Sequence, residues 1–182
     1  MALNIDPKLL RKEHEKAIKM KVDKPKVEVI LKPWQEKLVE RMKSSKREII
    51  WVIGPTGNEG KTWFQKYLED INGSLVFQSN IKKRRYDTMQ ILSKQIVSLI
   101  DLFLFNVPRC FNMDGFPYEM LEEIKDGEST KADGSRLKFN TPNILVVFSN
   151  EKPDEVKMSR DRWSIYFIEG EHLLQTDGSM VV

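Results

Sequence analysis

The stretch IIWVIGPTGNEGKT, residues 49 to 62, decides the fold that we expect for this chain. Its apolar run predicts a buried strand, a glycine-rich loop follows, and a helix is predicted over residues 61 to 68. Strand, loop and helix in this order place backbone amides where they converge on a phosphate group. The stretch therefore predicts a phosphate-binding loop over residues 54 to 62.

The predicted loop carries the groups that hold a nucleotide with magnesium. Amides of residues 57 to 62 point at phosphate oxygens, the Lys61 ammonium neutralises them, and the Thr62 hydroxyl joins the magnesium ion. The loop is one residue longer than the strict G-x-x-x-x-G-K-[ST] pattern, with Gly57 as a second flexible point. We interpret the chain as a P-loop nucleoside triphosphatase for ATP or a similar nucleotide, rather than as a chance glycine turn. The residues predicted to bind the nucleotide are Gly54, Pro55, Thr56, Gly57, Asn58, Glu59, Gly60, Lys61 and Thr62.

The composition is that of a folded globular protein with a modest charge. Hydrophobic residues make up 40% of the 182 residues, charged residues make up 31%, and the formal net charge is +3. A charge of that size does not by itself indicate nucleic-acid binding. The single cysteine, Cys110, cannot form an internal disulfide, and no apolar run reaches the length of a membrane span. We expect an intracellular protein without a membrane partner.

The other apolar runs predict an α/β fold. Predicted strands alternate with helices, which are expected within residues 86 to 100 and over residues 118 to 125. This alternation favours a largely parallel sheet with helices on its faces. The further predicted strands are residues 74–78, 102–107, 143–149 and 164–168.

Helical segments precede this predicted core. Residues 3 to 21 are predicted to form a short amphipathic helix, and a second helix is predicted from Pro33 to about residue 44. Pro25 and Pro33 flank a connector between them. We therefore divide the chain into a helical segment with its linker, residues 1 to 45, and a nucleotide-binding domain, residues 46 to 182.

Polar residues near the ends of predicted strands are candidates for the chemistry. Asn106 ends the strand where a nucleotide hydrolase needs an acidic magnesium ligand, and an uncharged amide is the poorer ligand. Asn150 follows another strand, where an amide can sense the terminal phosphate or position the attacking water. Arg160 and Arg162 precede the last predicted strand, from which an arginine can reach a neighbouring subunit's nucleotide. Each also has an ordinary interpretation, as a turn former or a surface arginine.

Several further motifs lie around these residues in a specific order. They are Lys32-Pro33-Trp34-Gln35, residues 51 to 62, Phe105-Asn106-Val107-Pro108-Arg109-Cys110, Val147-Phe148-Ser149-Asn150, Pro153-Asp154 and Ser159-Arg160-Asp161-Arg162. Together they resemble the superfamily 3 helicase domain of rolling-circle replication initiator (Rep) proteins from circular single-stranded DNA viruses and related plasmids. The resemblance begins at about Lys32 and covers nearly the whole of the following chain. It implies an AAA+-like P-loop fold, in which the longer form of the loop is normal.

The resemblance also implies roles for single residues. Lys61 and Thr62 would bind the nucleotide phosphates and magnesium, and Asn150 would be the sensor at a strand tip. Arg162 would be an arginine finger that acts on the neighbouring subunit's nucleotide, with Arg160 as the less favoured finger. Asn106 stands where relatives carry the acidic Walker B residue, so the resemblance leaves efficient hydrolysis and metal dependence open.

DNA and partner subunits enter through the same resemblance. Residues 122 to 139 occupy the place of the family's central-pore hairpin, in which basic side chains follow a DNA backbone. Residues 1 to 45 correspond to the family's oligomerisation region, which implies a homo-oligomeric ring, usually a hexamer. The residues predicted to bind single-stranded DNA are Lys131, Arg136 and Lys138.

The resulting hypothesis is an ATP-dependent helicase module that translocates on single-stranded DNA in rolling-circle replication. The alternatives are a catalytically weak nucleotide-binding oligomerisation module, because of Asn106, and a P-loop kinase of small molecules. Only two histidines, His14 and His172, are present, so a nicking endonuclease domain is expected elsewhere in the full-length protein. The expected location is the host nucleus for a eukaryotic virus or the cytoplasm for a bacterial plasmid.

Overall fold

A computed structural model describes residues 29–72, 76–81, 88–89, 92, 97–131, 133–176, 178 and 181. The helix predicted over residues 3 to 21 lies outside these residues. The helices and strands, in chain order, are α1 (Pro33–Ser44), β1 (Ile49–Ile53), α2 (Lys61–Asn72), β2 (Val76–Asn80), β3 (Leu102–Asn106), α3 (Tyr118–Asp126), β4 (Glu128–Thr130), β5 (Arg136–Lys138), β6 (Ile144–Ser149), β7 (Trp163–Glu169) and β8 (His172–Gln175).

The main sheet has the strand order β2-β3-β6-β1-β7-β8. Its first five strands are parallel, and β8 pairs antiparallel with β7. Strands β4 and β5 form a separate antiparallel hairpin. The prediction of an α/β fold with a largely parallel sheet is confirmed, whereas β8 was not predicted.

The central strands are apolar because both of their faces are covered. All five residues of β1 are buried, and so are four of the five in β3. One face of the sheet packs Trp51 and Phe103 against α3, and the other packs Ile50 and Val52 against α1 and α2. The sheet is therefore the middle layer of the fold, with its strand ends free to carry a site.

Helix α1 is part of this core. Trp34 and Leu38 are fully buried, and Met42 is nearly so, in the cluster that also holds Phe64 of α2. The apolar positions at four-residue steps thus face the sheet, as their spacing predicts. The oligomerisation role predicted for residues 1 to 45 stays a prediction, and residues 1 to 28 lie outside the described chain.

The other predicted elements agree with the fold to within a few residues. Helix α2 extends four residues beyond its predicted end, to Asn72, and α3 ends at Asp126, one residue late. Of the helix predicted within residues 86 to 100, the described residues Thr88, Met89 and Leu92 are helical. Gly127 ends α3 with φ of 91°, the left-handed conformation typical of a helix C-cap.

In the part of the chain that the structure describes, no helix has the length and apolarity needed to cross a membrane.

Candidate functional site

The candidate site lies at the carboxyl edge of the sheet, where β1 ends. Residues 54–60, which we call the glycine loop, connect β1 to α2. The Gly54 amide donates to the Ser149 carbonyl at 2.9 Å, so the loop is fixed to the end of neighbouring β6. Strand β1 lies between β6 and β7, which follow each other in the chain, and ligand clefts form at such switch points of open sheets.

Helix α2 begins directly at the loop and presents its free amides there. Its first internal hydrogen bond runs from the Phe64 amide to the Gly60 carbonyl at 2.9 Å. The amides of Lys61, Thr62 and Trp63 precede that bond and have no carbonyl partner within the helix. Together with the positive end of the helix dipole, they form a local environment that favours an anion.

The loop needs glycine at three positions for two different reasons. A Cβ atom at Gly54 would lie 2.4 Å from the Lys61 ammonium, so any side chain there would displace this cation. Gly57 and Gly60 have φ of +84° and +93°, a left-handed conformation that favours glycine. These requirements explain the glycines of the motif by the path of the loop.

Lys61 turns back onto its own loop. Its Nζ donates to the Gly54 carbonyl at 2.6 Å and to Glu59 Oε2 at 3.2 Å. The ammonium therefore lies where the loop closes, within the ring of backbone that the sequence predicts to surround a phosphate.

Glu59 lies inside the loop and is 8% exposed. Its Oε1 accepts from the Thr56 amide at 3.0 Å, the Thr56 hydroxyl at 2.8 Å and the Gly57 amide at 2.9 Å. Burial alone would raise the pKa of Glu59, but hydrogen bonds from its own backbone, Thr56, Gly57 and Lys61 hold the pKa at about 2. The carboxylate is thus charged at neutral pH.

A buried tryptophan supports the loop from below. The indole Nε1 of Trp34 in α1 donates to the Glu59 carbonyl at 3.2 Å, and its ring meets Phe64 edge-on at 5.4 Å between centroids. Trp34 was quoted as a motif residue, but its contact with the loop was not predicted. Sequence offers no signal for a contact between residues 25 positions apart.

The glycine loop lines part of a cleft of about 450 Å³, which brings most of the predicted site residues together. Its lining includes Lys61 and Thr62 as well as Asn106 and Asn150. The prediction that these residues share one site is consistent with this geometry, while their catalytic roles stay predictions.

Arg109 and Trp63 also line the cleft and were given no role in the sequence analysis. Arg109 follows β3 and its Nη2 donates to the Pro55 carbonyl at 3.4 Å, so a second cation lies over the loop. Trp63 lines the cleft, is 48% exposed and stacks on Tyr67 with 5.5 Å between ring centroids. The position of Arg109 shortly after a strand end was a usable signal, because such residues lie at the carboxyl edge.

Asn106 is tied to a neighbouring strand end. Its Nδ2 donates to Asn80 Oδ1 at 3.0 Å, and the two residues are register partners on β3 and β2. The amide oxygen of Asn106 remains as an acceptor. Among the described residues, no group of three or more acidic, histidine or cysteine side chains has the arrangement of a metal site.

Arg162 does not share the cleft. It precedes β7, whose first residue Trp163 pairs with Ile49 at the start of β1, so it lies at the amino edge of the sheet. Its side chain is 6% exposed, pairs with the Asp126 carboxylate and donates to the Arg47 carbonyl at 3.5 Å. Arg160 is exposed. Of the two candidate fingers, Arg160 is thus the one whose side chain faces solvent.

The predicted DNA-binding residues lie on the β4–β5 hairpin, away from the cleft. Arg136 and Lys138 are exposed on one face of β5, with buried Leu137 between them, and Lys131 is half-buried at the turn. Arg136 Nη1 pairs with Glu128 Oε1 at 2.9 Å, and both side chains are largely exposed. A hairpin is confirmed over residues 128 to 138, whereas residues 122 to 126 of the predicted segment belong to α3. Its role in DNA binding stays a prediction.

Comparison with known proteins gives one consistent set of relatives. No family model matches the chain. It is 31% identical over 140 residues to Para-Rep C3 of the Milk vetch dwarf C3 alphasatellite, and the matched region covers 74% of this chain and 47% of that protein. It is 32% identical over 161 residues to Para-Rep C1 of the Faba bean necrotic yellows C1 alphasatellite, and this match covers 86% of this chain and 55% of that protein. The chain thus spans about half the length of the curated relatives it matches.

Proposed function

We propose that this chain is the ATP-hydrolysing, DNA-unwinding part of a replication initiator, a P-loop module of the superfamily 3 helicase type. The observation that carries the proposal is the single cleft in which the glycine loop and the start of α2 face Asn106 and Asn150. The similarity to alphasatellite Para-Rep proteins supports a role in initiating rolling-circle replication.

Different residues of the cleft have different roles in the transfer of the terminal phosphoryl group to water. Lys61 and the first-turn amides of α2 hold the phosphates, and Arg109, which contacts the loop at Pro55, adds positive charge. Asn150 orients a water for attack on the terminal phosphorus, whose bond to the bridging oxygen breaks to release the diphosphate.

Magnesium fits the oxygen donors of this site as a companion of the nucleotide. The Thr62 hydroxyl and the amide oxygen of Asn106 line the same cleft, and both are hard, neutral donors. These two groups would hold the ion, which would supply positive charge to offset the negative charge of the phosphates. With no acidic ligand from Asn106, most of the ion's binding energy must come from the phosphates.

Unwinding also requires contacts with DNA and assembly into a ring, and we include both in the proposal. The exposed basic residues of the β4–β5 hairpin would follow the phosphates of a single strand inside a homo-oligomeric, sixfold ring. A neighbouring subunit would complete each nucleotide site with an arginine.

A second candidate is a nucleotide-binding oligomerisation module with little turnover. The observation in its favour is the bond between Asn106 and Asn80, which leaves a neutral pair where a hydrolase needs an acidic ligand. In that case nucleotide binding alone would organise the ring.

The test is the ATPase rate with magnesium, with and without single-stranded DNA, in the wild type and in Lys61→Ala. We expect turnover that DNA stimulates and that Lys61→Ala lowers roughly a hundredfold or more. Lys66→Ala, an exposed lysine on the same helix, serves as the matched control and should keep its activity.

The other outcomes separate the candidates. Tight ATP binding without turnover would favour the oligomerisation module. Turnover that responds to a small-molecule acceptor and not to DNA would indicate a kinase, and loss of both binding and turnover in the wild type would reject the proposed function.

A further inference from the structure

Glu59 is the only acidic residue among the described residues that line the cleft. An acid in the centre of a predicted phosphate site is unexpected, because it repels the ligand that the site is built to hold. Yet the carboxylate is buried and directed into the loop, so the backbone around it is arranged to receive a negative charge.

The groups that hold the Glu59 carboxylate are those that a phosphate needs. They are two successive backbone amides, one hydroxyl and the Lys61 ammonium, with donor–acceptor distances between 2.8 and 3.2 Å. Successive amides in a turn form an anion-binding concavity, and a carboxylate and a phosphate oxygen satisfy it in the same way. Lys61 in particular has its charge compensated within the loop.

We propose that the Glu59 carboxylate is an internal anion that occupies the phosphate-binding donors in the free chain, and that the phosphates of an incoming nucleotide must displace it. The inference rests on the proposed function, because it concerns the same loop. It adds a residue that sets the affinity for nucleotide and restricts the site to ligands charged enough to compete.

The consequence is a lower apparent affinity and a more ordered free loop. If only a fraction of the molecules has the carboxylate displaced at any time, the apparent association constant is the intrinsic constant multiplied by that fraction. A nucleoside diphosphate or triphosphate carries several negative charges and can replace one carboxylate, whereas an uncharged nucleoside cannot. The same bonds stabilise the loop before nucleotide binds, since buried charge-assisted hydrogen bonds are among the stronger ones.

The test compares ATP binding by calorimetry in the wild type, Glu59→Gln and Glu69→Gln, each in the full chain with magnesium. Glutamine keeps the size of the side chain and removes the competing charge, so we expect Glu59→Gln to bind ATP roughly tenfold more tightly. Glu69→Gln removes the same charge from an exposed position on α2 and should leave the affinity near that of the wild type.

The sign of the change decides between an occupant and a purely structural residue. An unchanged or weaker affinity in Glu59→Gln, with the wild type binding ATP normally, would overturn the proposal and leave the proposed function intact. In the absence of nucleotide, the melting temperature of Glu59→Gln should fall, while its increase on adding ATP should exceed that of the wild type.

A measurement without nucleotide tests the contact itself. In amide NMR spectra of the free chain, the Thr56 and Gly57 protons should move upfield in Glu59→Gln and return downfield when ATP is added. Failure of these two signals to respond to the substitution would overturn the proposal directly. If they respond but neither the wild type nor the variant binds ATP, both the proposal and the proposed function are rejected.

Discussion

Asn106 is the residue that we expect to limit hydrolysis most at the proposed site. It lines the same cleft as Lys61 and donates to Asn80, a neutral side chain at the end of the next strand. A carboxylate here would add a charged ligand to the magnesium ion and a stronger acceptor for its water. Asparagine supplies the same shape without the charge.

We therefore expect Asn106→Asp to raise the ATPase rate with magnesium by roughly tenfold, because it restores charge next to the proposed ion. The measurement is kcat at saturating ATP and magnesium. Asn112→Asp is the matched control, since Asn112 is exposed and its side-chain oxygen accepts the Asp114 amide, as an aspartate would. A rate in Asn106→Asp no higher than that of the wild type would show that the acid is not what limits turnover.

Much of the residue-level site could be predicted from sequence, and the part that could not depends on side-chain direction. The loop residues, Asn106 and Asn150 follow predicted strands, and parallel strands bring their carboxyl ends together. Glu59 was predicted only as one member of the loop. That it points inward, against the expectation for an acid near phosphate, follows from the turn geometry of the loop, which no residue pattern records.

The β4–β5 hairpin carries one arginine that is paired with an acid and two lysines that are predicted to bind DNA. Arg136 pairs with Glu128, but an exposed pair of this kind is worth at most about 1 kcal/mol, so a phosphate can replace the partner. Lys138 is exposed on the same face, and Lys131 lies at the turn. Buried Leu137 anchors the strand to the core cluster below.

We expect the double substitution Lys131→Ala/Lys138→Ala to weaken binding of single-stranded DNA and to reduce its salt dependence. If each lysine neutralises one phosphate, the slope of log K against log[salt] should become less negative by about 1.4. Fluorescence anisotropy over a range of salt concentrations measures both quantities. Lys43→Ala/Lys157→Ala removes two exposed lysines outside the hairpin and should leave the slope unchanged, and an equal effect in both variants would contradict a specific role for the hairpin.

The sequence pattern of helix α1 predicts its bounds and its apolar face, but not what that face contacts. Its bounds and its apolar face follow from Pro33 and the spacing of Trp34, Leu38 and Met42. Its function in the fold does not, because a stripe of apolar residues is the same whether it covers a sheet or a partner subunit. Burial of the stripe and the bond from Trp34 to the glycine loop make α1 a support of the site.

The charged side chains at the two edges of the sheet have different roles. At the carboxyl edge they line the cleft, whereas at the amino edge lysine and arginine side chains bond to other groups of the protein and stabilise the fold. There Lys125 donates to the Lys46 and Asn143 carbonyls at 2.9 and 2.6 Å, and burial lowers its pKa to about 8. Arg162 pairs with Asp126 nearby. Arg162 was predicted as a finger from its sequence motif alone. Its pairing partner Asp126 ends α3, which is distant in sequence and is not part of that motif.

This division predicts different outcomes for the two arginines. Arg162→Ala removes a side chain that is 6% exposed and leaves a cavity, whereas Asp126 stays solvated, so we expect a loss of stability of roughly 1 to 3 kcal/mol, measured by chemical denaturation. Arg160→Ala removes an exposed side chain and should change stability little. If Arg160 is the finger that completes a neighbour's site, its loss should instead lower the ATPase rate of the assembled protein by about a thousandfold.

Mixing two inactive variants tests whether that finger acts between subunits. Lys61→Ala cannot hold the phosphates but keeps Arg160, whereas Arg160→Ala keeps the glycine loop. In a mixed ring some interfaces pair an intact loop with an intact arginine, so activity should reappear on mixing although neither variant is active alone. Lys61→Ala mixed with a Lys61→Ala/Arg160→Ala double variant contains no such interface and should stay inactive. Failure of the first mixture to recover, with mixed rings demonstrated by native mass spectrometry, would mean that Arg160 acts within its own subunit or not at all.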